Sequence, residues 1–413
     1  MTSSVIAILF AAFVNQGVVY YVQQFLFGID GSSPWPVVIA TSATTLAAAV
    51  FSTLTEKFLR VALALVFLDA AYAATYAYSP SGNYGLMKAG LTMLVPALCA
   101  TAGYLMSRDG RLRLYLASCA VLAGLAGAAF LLNNHNPELF AQSDRTGSGT
   151  YHPILITYQN FAFAMALGAV WAVDRFSSRL PRIDLLSGLS FVAFLYFILV
   201  SGGRLGLLIV LLTVITYTLM GERSRALRIS LIAVIVVVGA VAAAVMSHFA
   251  LEIVNDRDAP ATLKRFVTYA FVLPEQHSLS PREIFRGLAV EVFWRAPFAG
   301  VGWGGFPISA GLPDVSGYYP HNVILELLSE TGLLGTLAFL LFQGWVLWEF
   351  ARAPGRFSEK NVIFIIFSIG LSWGMVGGDW PGMRVLFLAI GAMAGYPPGR
   401  LRPHASATAG DRP

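Results

Sequence analysis

Residues 85–133 read GLMKAGLTMLVPALCATAGYLMSRDGRLRLYLASCAVLAGLAGAAFLLN, and they contain the pattern from which the fold is predicted. Two apolar runs, 85–106 and 112–133, are joined by a turn that contains Arg108, Arg111 and Arg113. Each run has the roughly 20 apolar residues that are needed to cross a bilayer. Lys and Arg accumulate in short cytoplasmic loops. The stretch therefore predicts two transmembrane helices whose connection faces the cytoplasm.

The same pattern recurs along the whole chain of 413 residues, of which 57% are hydrophobic and only 12% are charged. Soluble domains carry roughly 25% charged residues, so this composition is typical of a bilayer protein. We predict one all-α membrane domain over residues 1–400, with about twelve transmembrane helices, and a cytoplasmic tail over 401–413. The first span lacks a basic leader and a cleavage site, so we expect it to be retained. The predicted spans are 4–27, 36–54, 58–78, 85–106, 112–133, 152–173, 183–201, 204–220, 227–249, 321–350, 359–378 and 381–398.

The basic residues predict the orientation of these spans. If the N-terminus is inside, every inner loop is basic, as the positive-inside rule requires. Seventeen of the 27 Lys and Arg residues then lie inside: Lys57, Arg60, Arg108, Arg111, Arg113, Arg175, Arg179, Arg182, Arg223, Arg225, Arg228, Arg352, Arg356, Lys360, Arg400, Arg402 and Arg412. The net charge of +5 is therefore attributed to topology and to anionic inner-leaflet lipid, not to nucleic-acid binding.

The ten remaining cations fall on the outer side, and most lie in the only long loop, 250–320. They are Lys88, Arg145, Arg204, Arg257, Lys264, Arg265, Arg282, Arg286, Arg295 and Arg384. A basic concavity at the outer leaflet suits an anionic ligand such as a lipid-linked phosphate. The alternative is ordinary ion pairing with the nearby carboxylates, which are Glu252, Asp256, Asp258, Glu275, Glu283, Glu291 and Asp314.

Two segments of this loop have a predicted structure. Ser280-Pro281-Arg282-Glu283 is typical of a helix start with a capping box and proline at the first helical position. A helix from there to about residue 295 places Arg282 and Arg286 four residues apart on one face. The glycine-rich run GVGWGGF (300–306) follows, and its backbone can turn sharply and approach a ligand closely.

Pro320-His321-Asn322 then begins the tenth span at the outer surface. Histidine is suited to proton transfer near neutral pH, and a helix N-terminus favours its neutral form; the alternative is that His321 only anchors the helix. Asn322, Glu326 and Glu330 repeat every four residues on one face of this span. The two carboxylates lie one to two turns into the bilayer, where charged groups are costly and usually functional. Glu326 either orients His321, pairs with an arginine, or packs against polar neighbours.

Polar residues also mark other outer turns. The SGGR turn (201–204) holds Arg204 at the lip of the bundle, unless this side chain only reaches toward the headgroups. Asp379 and Arg384 flank the last outer turn and could pair with each other. Asp69 lies within the third span with no evident partner in the sequence.

Four of these motifs together resemble the O-antigen ligase and polymerase superfamily. They are the SGGR turn, GVGWGGF, Pro320-His321-Asn322 and the run ELLSETGLLG (326–335). His152-Pro153-Ile154 resembles a further feature of the ligases. The specific similarity extends from about residue 201 to residue 340, while the first five spans match only in hydropathy.

The resemblance implies a GT-C-type glycosyltransferase at the periplasmic face of a bacterial inner membrane. Its donor would be a polysaccharide on undecaprenyl pyrophosphate, and its acceptor the sugar of the lipid A core. The family's base corresponds to His321, and its pyrophosphate-binding arginines to Arg204 and Arg286. Here Gly203 replaces the serine that usually precedes that first arginine.

Further residues are assigned by position beside these motifs. Arg265 and Arg282 are predicted to share in pyrophosphate binding, although the motifs do not fix which of Arg265, Arg282 and Arg295 have this role. Asn322, Glu326, Arg145 and Arg384 are predicted to support the site. Guanidinium groups can neutralise a pyrophosphate through paired hydrogen bonds, so we expect transfer without a metal or other cofactor, by direct attack with inversion.

Three rival functions remain open. An O-antigen polymerase or a protein O-oligosaccharyltransferase would use the same donor with a different acceptor. A non-enzymatic transporter of lipid-linked glycans would more often show inverted repeats and broken helices at the bilayer midplane. This chain instead concentrates its polar groups at one face, which favours an enzyme.

Overall fold

The computed structural model describes residues 2–27, 35–132, 158–178, 185–201, 203–220, 244, 247–256, 267, 281–354 and 357–396. All regular structure within these ranges is helical. The α-helices, numbered in chain order, are α1 (Thr2–Val14), α2 (Gln16–Phe27), α3 (Trp35–Val50), α4 (Glu56–Ala74), α5 (Asn83–Arg108), α6 (Leu112–Leu132), α7 (Tyr158–Ser178), α8 (Leu185–Ser201), α9 (Arg204–Met220), α10 (Ala250–Asn255), α11 (Pro281–Arg295), α12 (Phe306–Ser309), α13 (Val323–Arg352), α14 (Phe357–Val376) and α15 (Arg384–Gly395). A 3₁₀ turn, Thr75–Tyr78, extends α4.

Several of these helices are long and apolar enough to cross a membrane. They are α4 with its 3₁₀ extension, α5, α6 and α13, while α3, α8, α9, α14 and α15 contain shorter apolar helices. This confirms the predicted all-α polytopic membrane protein. The number of twelve spans stays a prediction, and most of the predicted span 227–249 lies outside the described residues.

The first predicted span, 4–27, is broken rather than straight. α1 and α2 meet at 84° around Asn15. The side-chain amide of Asn15 donates to the carbonyl of Ala11 at 2.9 Å and lies 3.6 Å from the Sγ of Cys119. Gly17 follows, and asparagine and glycine are both poor helix formers. A polar, weakly helical junction therefore interrupts the apolar run.

The two ends of the bundle differ in their turns and in the contacts that these turns make. One end holds the α5–α6 turn, where Arg108 pairs with Asp109 at 2.9 Å. The opposite end holds the α4–α5 turn, where the carboxylate of Asp314 accepts hydrogen bonds from Ser81 and from the backbone N–H of Gly82. The segment that follows α11 is therefore fastened to the end of the bundle away from that basic turn.

Close backbone contact joins α5 to α15. A Cβ atom added at Gly103 would lie 1.9 Å from the carbonyl oxygen of Leu388, and one added at Gly391 would lie 1.8 Å from that of Ala100. Small residues let transmembrane helices approach in this way, since packing replaces the hydrophobic effect between helices in lipid. The two glycines thus fix the position of α15, which follows the turn over the site described below.

Gly103→Ala should destabilise the protein, because the new methyl group meets a backbone oxygen that cannot move aside. We expect a loss of about 1–3 kcal/mol, the usual cost of overpacking, measured as a lower midpoint of thermal unfolding in detergent. Gly90→Ala is the matched control, since it lies on the same helix with nothing within 4 Å of the added Cβ. Equal midpoints for the two variants would refute the close contact.

Candidate active site

A break in α13 organises the site. Gly332 has φ 67° and ψ −164°, so the helix is interrupted between Thr331 and Leu333. The break frees backbone groups that must find other partners, since none can remain unpaired inside a membrane protein. The N–H groups of Leu333 and Leu334 donate to the carbonyls of Pro297 and Phe298, at 2.8 and 3.2 Å. The loop after α11 therefore fills the gap in the helix.

The glycine-rich run enters the same break from the other side. The N–H groups of Val301 and Gly302 donate to the carbonyls of Ser329 and Glu330, at 3.0 and 2.9 Å. Gly300, Gly302 and Gly304 all have positive φ. A Cβ atom on Gly300 would lie 2.3 Å from the backbone of Glu330. The close approach that the glycines permit is therefore to the protein's own helices, and not to a ligand as the glycine-rich pattern alone predicts.

Beside this loop lies a fully buried cluster of three charges. Nζ of Lys88, on α5, is 2.6 Å from Oε1 of Glu326 and 2.6 Å from Oε2 of Glu330, with at most 1% of each side chain exposed. Glu330 also accepts from the N–H of Gly304 at 2.9 Å, and Glu326 from the N–H of Trp380 at 3.1 Å. Of the three alternatives for Glu326, pairing with an arginine is therefore not observed among the described residues: its partner is a lysine of another helix.

Tryptophan side chains surround the cluster. The ring of Trp303 lies 4.5 Å below Nζ of Lys88 and stacks on Tyr72 at 5.1 Å. Nε1 of Trp380 donates to Oδ1 of Asp69 at 3.0 Å. Asp69 thus has a partner 311 residues away, which the sequence did not reveal. The aromatic packing holds the charged cluster, the glycine-rich run and the turn before α15 together.

His321 lies just outside α13, in a conformation that is rare for a residue with a side chain. Its φ is 52°, and it is the one non-glycine residue with positive φ among the described residues. Its ring lies between Tyr319, at 4.1 Å, and Phe285, at 6.2 Å. Nδ1 is buried and has no hydrogen-bond partner. Backbone strain of this kind costs about 1–3 kcal/mol and clusters at functional sites.

Asn322 explains how α13 begins after this strained residue. Its Oδ1 accepts from the N–H groups of Ile324 and Leu325, at 3.0 and 3.1 Å, which caps the helix. Its amide nitrogen donates to the carbonyl of Met375 on α14 at 3.2 Å. Asn322 therefore positions His321 by fixing the start of the helix.

Two arginines of α11 face His321. Nη2 of Arg286 lies 3.5 Å from the carbonyl oxygen of His321, and its Nε is buried without a hydrogen-bond partner. Among the described residues, neither Arg282 nor Arg286 has a carboxylate within 4.0 Å, while Arg295 on the same helix lies 3.9 Å from Glu291. Among the carboxylates that the structure describes, ordinary ion pairing therefore accounts for Arg295 and not for the two arginines at His321, while Asp258 and Glu275 lie outside the described residues.

These surroundings control the protonation of His321. Burial, and then the positive charges of Arg282 and Arg286, lower the pKa of His321 from 6.5 to about 4, although the backbone of Gly377 acts in the opposite direction. The imidazole is therefore neutral at physiological pH and able to accept a proton. The positive charges of Arg282 and Arg286, which have no carboxylate partner among the described residues, therefore lie beside a neutral imidazole.

The other residues predicted for the site are not brought to His321 by described contacts. Arg384 donates to the carbonyl of Phe13 at 2.7 Å and lies over the Phe13 ring at 4.3 Å. Arg204 begins α9, but the structure does not describe its side chain. Arg145 and Arg265 also lie outside the described residues. Among described residues, no group of three or more His, Cys, Asp or Glu side chains could hold a metal ion.

Sequence reasoning missed several residues of the site. The positive-inside pattern assigns Lys88 only to the outer cations, although a lysine inside an apolar span is itself a signal of a buried partner. Phe285 and Tyr319, which enclose the His321 ring, carried no signal beyond being aromatic residues near the motif.

The comparison with known families points to the same region. Residues 189–340 match a family model described as O-antigen ligase. The match runs from α8 into α13 and includes Arg204, α11, the glycine-rich run and His321, but neither Lys88 nor Trp380. No curated protein matches the chain.

Proposed function

We propose, from the membership of this chain in the O-antigen ligase and polymerase superfamily, that it is an O-antigen ligase. It transfers polysaccharide from undecaprenyl pyrophosphate to the sugar of the lipid A core. The observation that carries the proposal is the pair Arg282 and Arg286, which has no carboxylate partner among the described residues and faces the half-buried His321.

The arginines suit the leaving group of such a reaction. A sugar pyrophosphate departs readily once its negative charge is neutralised, and guanidinium groups do this through paired hydrogen bonds. Nε of Arg286 lacks a partner that an oxygen of the pyrophosphate would supply. Arg204 and Arg265 complete the anion site in this proposal, on the basis of the family resemblance.

His321 supplies the base. The acceptor hydroxyl attacks the anomeric carbon, the bond from that carbon to the pyrophosphate oxygen breaks, and undecaprenyl pyrophosphate leaves with the electron pair. The proton of the hydroxyl passes to Nδ1 of His321, which has no other partner. Direct attack inverts the configuration of the anomeric carbon. Bound pyrophosphate offsets the charges of Arg282 and Arg286, so the pKa of His321 rises toward neutrality, where a base is most effective.

The proposed location is the bacterial inner membrane, with the site facing the periplasm. The basic α5–α6 turn lies at the opposite end of the bundle from the segment that carries His321. Short basic turns favour the cytoplasmic side. Lipid-linked glycan and lipid A-core would then reach the site from the periplasmic leaflet.

The broken helix α13 does not favour the rival transporter. In transporters such breaks line a substrate or ion site. In this chain the groups freed at Gly332 bind the loop after α11 and the glycine-rich run, so protein fills the gap. A polymerase or a protein O-oligosaccharyltransferase would share the donor site, and these differ from a ligase only in the acceptor.

Deletion of the gene tests the acceptor. We expect the deletion strain to accumulate polymer on undecaprenyl pyrophosphate and to lose the entire lipopolysaccharide ladder. Core that still carries a single repeat unit would instead identify a polymerase. An unchanged ladder with loss of glycan from a protein would identify an oligosaccharyltransferase. Complementation with the intact gene controls for effects on neighbouring genes.

Arg286→Ala should weaken donor binding, because one partner of a desolvated charge pair is lost. We expect a cost of about 2–5 kcal/mol, seen mainly as a higher KM for the lipid-linked donor. Arg286→Lys should also impair the enzyme, since an ammonium group cannot bind the phosphates through two parallel hydrogen bonds. Arg204→Ala should behave in the same way.

Arg295→Ala is the matched control for Arg286→Ala. It lies on the same helix, and 64% of its side chain is exposed beside Glu291. An exposed pair contributes little, so its donor KM should stay near that of the unmodified enzyme. Equal effects of the two substitutions would argue against a specific role of Arg286.

A further inference from the structure

α11 leaves large apolar side chains uncovered. Trp294 is 71% exposed and Val290 is 42% exposed, and Phe298, just beyond the helix, is 69% exposed. The opposite face is well packed, since Ala289 and Val292 are buried against Phe306. The helix therefore presents a second apolar surface that no described part of the chain covers.

This surface follows one side of the helix. Val290 and Trp294 succeed Arg286 at steps of four residues, and side chains with that spacing lie above one another on a helix. Phe298 follows in the turn just after the helix ends at Arg295. The exposed pair Glu291 and Arg295 flanks them. We call Val290, Trp294 and Phe298 the apolar stripe; it begins one helical turn from Arg286.

The apolar stripe is continuous with the lipid-facing surface of α13. The carbonyls of Pro297 and Phe298 accept from the first N–H groups after the break in α13. From that point the helix exposes a row of leucines. They are Leu333 (46%), Leu334 (66%), Leu337 (55%) and Leu341 (65%). Since α13 is one of the helices able to span a membrane, these exposed leucines face lipid.

The length of α13 indicates where Leu333 and Phe298 lie relative to the two boundaries of the membrane. The part from Leu333 to Arg352 contains about 20 residues and rises about 30 Å, which matches the hydrocarbon thickness of a bilayer. Its far end has the aromatic and basic residues of a membrane boundary, with Arg352 stacked on the exposed Trp348 at 3.8 Å. Leu333, and Phe298 next to it, therefore lie at the other boundary.

We propose that the apolar stripe is inserted among the acyl chains of bilayer lipid, at the membrane boundary nearest His321. Tryptophan is enriched at this level of membrane proteins, and the flanking Glu291 and Arg295 reach the headgroups. Insertion sets Arg286, two turns from Trp294, at headgroup height. The inference rests on the membrane fold alone, so it is independent of the proposed reaction.

Spin labels test the insertion directly. The two buried cysteines, Cys99 and Cys119, are replaced by alanine, and single cysteines are introduced as Trp294→Cys and Phe298→Cys. Leu337→Cys is the lipid reference, and Val315→Cys, at 48% exposure in the loop before His321, is the water reference. Each labelled full-length protein is reconstituted in liposomes, and its relaxation by oxygen and by a neutral nickel chelate is measured.

The ratio of the two effects distinguishes lipid from water. We expect labels at positions 294 and 298 to be relaxed more strongly by oxygen than by the chelate, as at position 337, and the label at 315 to show the reverse. A ratio at 294 and 298 that matches position 315 would place the stripe in water and overturn the proposal. Protection from both reagents would also overturn it, because the stripe would then be covered by residues 257–280 or by a second copy.

Discussion

His321→Gln should lower the rate of glycan transfer by about 10²–10⁴-fold, the usual effect of losing a general base. Glutamine keeps the approximate size and hydrogen-bonding capacity of histidine but cannot accept a proton near neutral pH. The donor site on α11 is untouched, so binding of lipid-linked donor should remain. The measurement is single-turnover transfer by the purified enzyme in lipid, together with a donor-binding titration.

His321→Asn separates the loss of the base from an effect on the backbone. His321 has φ 52°, and asparagine adopts this left-handed conformation more readily than most residues. Asn should therefore preserve the start of α13 at least as well as Gln while also lacking a base. Transfer at near the unmodified rate by either variant would make His321 a structural residue and would refute the mechanism.

The pH dependence provides a second test of the same residue. In the free enzyme the pKa of His321 is about 4, and the neutral form persists above it, so kcat/KM should fall only well below pH 6.5. Bound pyrophosphate offsets Arg282 and Arg286 and raises this pKa. The acid limb of kcat, which reports the enzyme–substrate complex, should therefore lie at higher pH than that of kcat/KM. Coincident limbs would contradict the proposed contact between donor and arginines.

The membrane fold could be predicted from local sequence because its cause is local. An apolar run of sufficient length favours a transmembrane helix wherever it occurs, and the runs at α5, α6 and α13 are confirmed. The breaks were harder to predict. The interruption at Gly332 depends on two loop segments that bind its freed backbone groups, and no property of the run ELLSETGLLG specifies those partners.

In the site, too, features with a local cause could be predicted from the sequence, whereas contacts between distant residues could not. The beginning of α11 and the place of His321 before α13 follow from proline, capping and motif signals next to each other in the sequence. The partners of Glu326 and Asp69 do not. Lys88 and Trp380 lie 238 positions before Glu326 and 311 positions after Asp69, respectively. Contacts at such separation arise only when the helices pack.

Lys88→Met should be the most destabilising substitution in this region. Lys88 is the only cation within 4.0 Å of Glu326 and Glu330 among the described residues, and all three side chains are buried. Removing one partner of a buried ion pair leaves charge uncompensated and costs about 3–5 kcal/mol. We expect a large fall in the thermal midpoint in detergent and loss of transfer, because Glu330 also holds the glycine-rich run through Gly304.

A control variant shows whether the lower thermal midpoint of Lys88→Met comes from the buried cluster or from the loss of any paired cation. Arg60→Met is the matched control, since Arg60 and Glu56 form an exposed pair at 3.8 Å on the neighbouring α4, and such pairs contribute at most about 1 kcal/mol. Adding Glu326→Gln and Glu330→Gln to Lys88→Met removes the uncompensated charge, so the triple variant should recover part of the lost stability. If Lys88→Met melts like Arg60→Met, the cluster does not stabilise the fold. If the triple variant is less stable than Lys88→Met, repulsion between the two carboxylates is not the cause.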